Sequence, residues 1–105
     1  MSTECIFCEI GRDPSHTAVV YRDNVVFAIN DINPKAPVHM LIIPIKHVTE
    51  LSQLAGNDEL IPMHIALAAD EMAKRQEINE QGFRLVINQG QDAGQTIHHL
   101  HAHMM

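Results

Sequence analysis

The chain has 105 residues, 46% hydrophobic and 19% charged, and 7 Lys+Arg against 13 Asp+Glu give a formal net charge of −6. A length of 105 fits a single domain over residues 1–105 with an ordinary core, and the acidic balance argues against nucleic acid or anionic membrane as partners, since both require a basic patch. No apolar run reaches about 18 residues and the amino terminus lacks a basic, apolar leader, so a cytoplasmic location is expected.

In chain order, residues 17–21 and 25–29 are short β-branched or aromatic runs parted by Arg22-Asp23-Asn24, which reads as a hairpin. Residues 31–37, with Pro34 and Pro37 flanked by Asp31 and Asn33, form an ordered turn. A third strand follows at residues 38–43, held between Pro37 and Pro44. Thr49 or Ser52 could cap a short helix, and Asn57 or Asp58 a long one reaching about residue 76, in which Ile61, Ile65, Ala68 and Met72 make one apolar stripe. Pro62 is tolerated there because it falls in the first turn. A fourth strand spans residues 83–88, where Phe83, Leu85 and Ile87 alternate with Arg84, Val86 and Asn88. Antiparallel strands with one main helix inserted before the fourth indicate an α+β fold with a five-stranded sheet.

The fifth strand holds the most unusual feature of the composition. The chain has 8 histidines, and four of them fall in the last eight residues. Alternation places His99, His101 and His103 on one face and Leu100, Ala102 and Met104 on the other. The outer imidazoles would lie about 13 Å apart at roughly 3.3 Å per residue, too far to share one metal ion, so the three must divide their tasks. A merely solvated face would use Lys, Glu or Thr rather than groups that change charge near neutrality. Just upstream, residues 88–96 form a Gly-containing polar loop able to aim backbone N–H groups and the Thr96 hydroxyl at an anion beside the imidazoles. At the other end, Cys5-x-x-Cys8 supplies half of a tetrahedral zinc set that two imidazoles would complete, or else a pair of free thiols.

His99-Leu100-His101-Ala102-His103-Met104-Met105 matches the signature of the histidine-triad (HIT) superfamily, and the chain resembles that family over nearly its whole length. Cys5-Ile6-Phe7-Cys8, the turn from Asp31 to His39, the segment Leu41-Ile42-Ile43-Pro44-Ile45-Lys46-His47 and the 88–96 loop all fit it. Within the superfamily the HINT branch is the most similar, whose members hydrolyse purine nucleoside phosphoramidates. The resemblance implies a HIT-like fold with one long and one short helix. It implies that His101 is the nucleophile, that His103 contacts the phosphate or leaving group, and that His39 orients the relay. Thr96 and the amides near Gly94 and Gln95 would hold phosphate oxygens beside Asn88, and Asp31 would take the ribose hydroxyls. Phe7, Ile10, Ile29 and Ile32 would enclose the base, although each alone reads as core.

The same resemblance implies one structural zinc per chain on Cys5, Cys8, His47 and His99, leaving His101 and His103 for phosphorus chemistry. No Gly-x-x-x-x-Gly-Lys loop exists, so no Mg-NTP site is expected. A homodimer through the long helix and the 83–88 strand is the family habit, as is a carboxy-terminal tail beyond Met105, absent here. A nucleotide-binding adaptor or sensor with incidental activity, and a dinucleoside polyphosphate hydrolase, are the rival functions. His16, His64 and His98 lie outside every motif.

Overall fold

The computed structural model describes residues 5–56 and 58–105. In chain order they form helix α1 (Ile6–Arg12), strands β1 (Val19–Arg22), β2 (Val26–Asn30) and β3 (Met40–Pro44), a 3-10 turn (Leu51–Leu54), helix α2 (Ile61–Arg75), strand β4 (Leu85–Ile87), a second 3-10 turn (Gln91–Ala93) and strand β5 (Ala102–Met104). The five strands make one antiparallel sheet in the order β1-β2-β3-β5-β4. Among the described residues, no helix is long and apolar enough to cross a membrane.

The apolar run of β3 lacks alternation because both of its faces are covered. On one face Val26, Ala28, Met40, Ile42, Leu100, Ala102 and Met104 pack with Ile61, Ile65, Ala68 and Met72, so the apolar stripe of α2 is spent on its own sheet. On the other face Phe27, Ile29, Leu41 and Ile43 pack with Phe7 and Ile10 of α1. Because the sheet separates two cores, the apolar members of the histidine segment enter the first and its imidazoles face the second.

Several boundaries differ from the sequence reading. The hairpin strands begin later, since Asp23 Oδ1 accepts the Val25 and Val26 amides at 2.7 and 2.8 Å and moves the turn along the chain. The short helix lies at α1, where Cys5 Sγ accepts the Cys8 amide at 3.3 Å as the cap. The segment expected to be helical after His47 is a single 3-10 turn whose Gln53 side chain accepts the Glu50 amide, so neither Thr49 nor Ser52 is its N-cap. Helix α2 starts at Ile61 behind Leu60; Asp58 is paired instead with Lys46 at 2.9 Å, and Asn57 lies outside the described residues. Strand β4 is shorter than the expected 83–88 run, and in it Leu85 and Ile87 are exposed while Val86 is half-buried.

Gly11 is where α1 meets the sheet. A Cβ there would stand 2.8 Å from Phe27 Cε1, and Phe27 is fully buried, so the ring cannot swing away. Gly11→Ala is expected to cost about 1–3 kcal/mol, read as a lowered midpoint in urea with an unchanged m-value.

Candidate active site and metal centre

Cys5 and Cys8 on the first turn of α1 meet His47, just after β3, and His99. Cys5 Sγ lies 3.2 Å from His99 Nδ1, Cys8 Sγ lies 3.2 Å from His47 Nδ1 and 3.6 Å from His99 Nδ1, and the two Nδ1 atoms are 3.1 Å apart. A tetrahedral zinc with ordinary bond lengths has N···N edges of about 3.4 Å and N···S edges of about 3.6 Å, so the four atoms already outline such a shell to within a few tenths of an ångström. The tautomer agrees. His99 Nε2 stands 2.7 Å from the Pro44 carbonyl, which can only accept, so that nitrogen carries the proton and Nδ1 presents its lone pair to the sulfurs. Burial, with pushes the same way from His47 and His101, holds His99 below the ordinary imidazole value of 6.5, the form a ligand needs. Burial and the adjacent Cys5 thiol push Cys8 up to about 11, a cost that a dication between the sulfurs would remove. The donor set fits zinc.

Asp31, His39 and His103 also bring ligand atoms within 4.8 Å of one another. Here the protons are arranged differently. The Lys35 amide donates to His39 Nδ1 at 2.9 Å, so His39 Nε2 is protonated and donates to His103 Nδ1 at 2.9 Å and to Asp31 Oδ2 at 3.2 Å. A metal on this set would have to displace the one proton that the Lys35 amide fixes on His39 Nε2. The trio is a hydrogen-bond relay, and it leaves His103 with its proton on Nε2. Burial lowers His103 below 6.5, with smaller pushes from His101 and His39 and an opposing pull from Asp31.

His101 is oriented by the chain itself. Its Nδ1 lies 2.8 Å from the carbonyl of His99, so Nδ1 donates and Nε2 keeps the free lone pair. The Phe7 ring stands edge-on to it at 5.1 Å and the His103 ring lies 5.2 Å away. The ladder of β5 takes in only Ala102–Met104, since the Leu100 amide turns aside to the Val48 carbonyl at 2.6 Å. Even so, the alternation continues back through His99.

Two cavities meet at Asp31, Thr96, His101 and His103. One, of about 380 Å³, is walled by Phe7, Ile10, Ile29 and Ile32, a volume and character suited to a small ligand. Ile32 is 90% exposed at its rim, whereas Phe7, Ile10 and Ile29 are also core. The other, of about 330 Å³, is bounded by Lys35, His39, Asn88 and Gly94. The expected anion cradle is only partly there. The amides of Gly94 and Gln95 are used up inside the loop, on the Gln91 and Gly90 carbonyls at 3.0 and 3.1 Å. The Gln95 side chain turns away to the Gly90 amide and the Thr49 carbonyl. Gln95 therefore ties the loop down and does not line the site, because the tight turn at Gly90 and Gly94 closes on itself. The next amide, Thr96, has no partner among the described residues.

The sequence reading does not single out Lys35, whose amide sets the relay and which lines the second cavity, or Ile97 and Leu41 in the apolar wall. The three unassigned histidines serve elsewhere: His16 Nδ1 accepts the Ala18 amide, His64 pairs with Asp23 at 3.0 Å, and His98 is exposed on a separate small cavity.

The HIT domain family model matches residues 12–105 of the chain. An uncharacterised HIT-like protein of Synechocystis is 43% identical over 105 residues, spanning 100% of this chain and 91% of that protein. The purine nucleoside phosphoramidase of Escherichia coli is 33% identical over 105 residues, spanning 100% and 88%. Among solved structures, a HIT family hydrolase from Clostridium thermocellum superposes with a TM-score of 0.91 at 40% identity, covering 100% of this chain and 91% of its own. A zinc-bound histidine triad family protein from Mycobacterium smegmatis superposes with a TM-score of 0.78 at 28% identity, covering 97% and 73%. The chain belongs to the HIT family.

Proposed function

We propose that the chain is a nucleotide-binding hydrolase that cleaves the P–N bond of purine nucleoside 5′-phosphoramidates through a covalent nucleotidyl-His101 intermediate. The observation that carries this reading is the 2.8 Å bond from His101 Nδ1 to the His99 carbonyl, which reserves Nε2 as a nucleophile at the junction of the two cavities. The base lies in the apolar cavity, and Asp31 takes the ribose hydroxyls with the lone pairs not engaged by the Asn33 amide and His39. The α-phosphate sits at the shared edge, against the Thr96 hydroxyl and amide.

His101 Nε2 forms a bond to phosphorus, the P–N bond breaks with its electron pair on the departing amine, and the amine takes one proton from solvent. The His101 ring is then cationic, and the His99 carbonyl facing Nδ1–H stabilises that charge. Water next bonds to phosphorus and gives one proton to solvent, and the N–P bond breaks to restore neutral His101. His103 Nε2–H donates a hydrogen bond to the phosphate or leaving nitrogen throughout, held in that tautomer by His39. Zinc on Cys5, Cys8, His47 and His99 is structural in this scheme, in keeping with the zinc-bound relative; it would pin α1, and so Phe7 and Ile10, against the histidine segment. Exposed Met63 and Leu67 on α2, with Leu85 and Ile87 on the edge strand β4, leave a surface for a second copy, which sedimentation velocity would register as a dimer.

The test is release of amine and AMP from adenosine 5′-phosphoramidate, beside a dinucleoside polyphosphate of the same base. Faster cleavage of the phosphoramidate is expected. Tight AMP binding without turnover of either would make the protein an adaptor, and faster cleavage of the polyphosphate would reassign the substrate.

A further inference from the structure

Once a nucleoside fills the apolar cavity and its phosphate the shared edge, the 330 Å³ cavity bounded by Lys35, His39, Asn88 and Gly94 remains open beside His101 and His103. In the proposed hydrolysis, on which this inference rests, that is the space left for the departing group. Its charge is distinctive. Among the described residues lining the two cavities, Lys35 carries the only fixed positive charge, in a chain of net charge −6. The Lys35 ammonium makes no ion pair among the described residues, its one bond being a long 3.4 Å contact to the Asn33 carbonyl. The Asp31 carboxylate also lines this cavity, with its oxygens turned to the Asn33 amide and the His39 ring and not to the Lys35 ammonium. The Lys35 backbone is fixed by its bond to His39, Lys35 is among the residues that line this cavity, and its charge acts on His103, which lines it too.

We infer that the cavity beside Lys35 receives the leaving group and selects an anionic one, an amine that bears a carboxylate or a phosphate. Lys35 is then a specificity-determining residue. Because its side chain is exposed, the expected preference is that of a screened ion pair, about fivefold in kcat/KM at ordinary salt, and shrinking as salt is raised.

The experiment compares AMP phosphoramidates whose amine is an amino acid with a free carboxylate, the same amino acid as its carboxamide, and phosphoethanolamine. In wild type the two anionic substrates should exceed the carboxamide about fivefold; a preference confined to one of them identifies carboxylate or phosphate as the group recognised. Lys35→Gln should bring the ratio close to one, Lys35→Glu should invert it, and Lys35→Arg should keep it, all with the backbone amide retained. A ratio unaltered by Lys35→Gln overturns the inference. So does an equal loss on charged and uncharged substrates, which would put Lys35 on the α-phosphate. If wild type cleaves the carboxamide and the acids equally, the inference fails while the hydrolase reading stands; if it cleaves none of them, both fail.

Discussion

Replacing His101 by alanine is expected to lower kcat for a phosphoramidate by at least about 10³-fold, the usual scale for removing the nucleophile of a covalent mechanism, while the Kd for AMP moves by less than about tenfold. The asymmetry follows from the geometry. The apolar wall, Asp31 and Thr96 all remain, so the nucleotide still binds, but the one imidazole with a free Nε2 lone pair is gone. His103 cannot substitute for it. Its Nδ1 accepts from His39 and its Nε2 therefore carries a proton, which makes the ring a donor. His103→Ala should accordingly cost about 10²-fold, the scale of a lost proton donor or hydrogen-bond stabiliser, and presteady-state kinetics would separate the two variants. Equal losses for the two would place the nucleophile elsewhere.

The second large effect concerns the metal. Elemental analysis should find about one zinc per chain, and its removal, by chelation or by Cys8→Ser, should lower Tm by at least about 10 °C, the equivalent of a few kcal/mol in a domain of this size. Two consequences should appear together, because α1 carries both the cysteines and the base-cavity residues Phe7 and Ile10. AMP binding should weaken at the same time as the fold, and both should recover on adding back zinc to the chelated protein but not to Cys8→Ser. An unchanged Tm in metal-free protein would show that the packing of Phe7 and Ile10 against Phe27 and Ile29 holds α1 without an ion.

Two parts of the site were legible in the sequence on different grounds. Period-two alternation sends Leu100, Ala102 and Met104 into one core, whereas the meeting of the cysteine pair with His47 and His99 is what the family resemblance, not the spacing, implies. Helix α1 was not legible. At seven residues it is too short for a 3.6-residue period to register, and its cap is a cysteine, outside the usual set. The 88–96 loop departs from expectation at Gln95 because sequence shows that a Gly-containing turn can offer amides but not whether the turn uses them on itself; here it does, with the amides of Gly94 and Gln95. Lys35 is silent in the sequence for a similar reason: its contribution to the relay is a backbone amide, which no side-chain pattern announces. Alternation in β4 does not tell which face is covered: Leu85 and Ile87 are exposed on this edge strand, and its own core does not use them.

The most direct test of the double-displacement account is the stereochemical course at phosphorus, measured with an adenosine 5′-phosphorothioamidate of known configuration hydrolysed in ¹⁸O-water. Two in-line displacements, first by His101 and then by water, predict net retention; net inversion would mean that water attacks the substrate directly and would contradict the nucleotidyl-His101 intermediate.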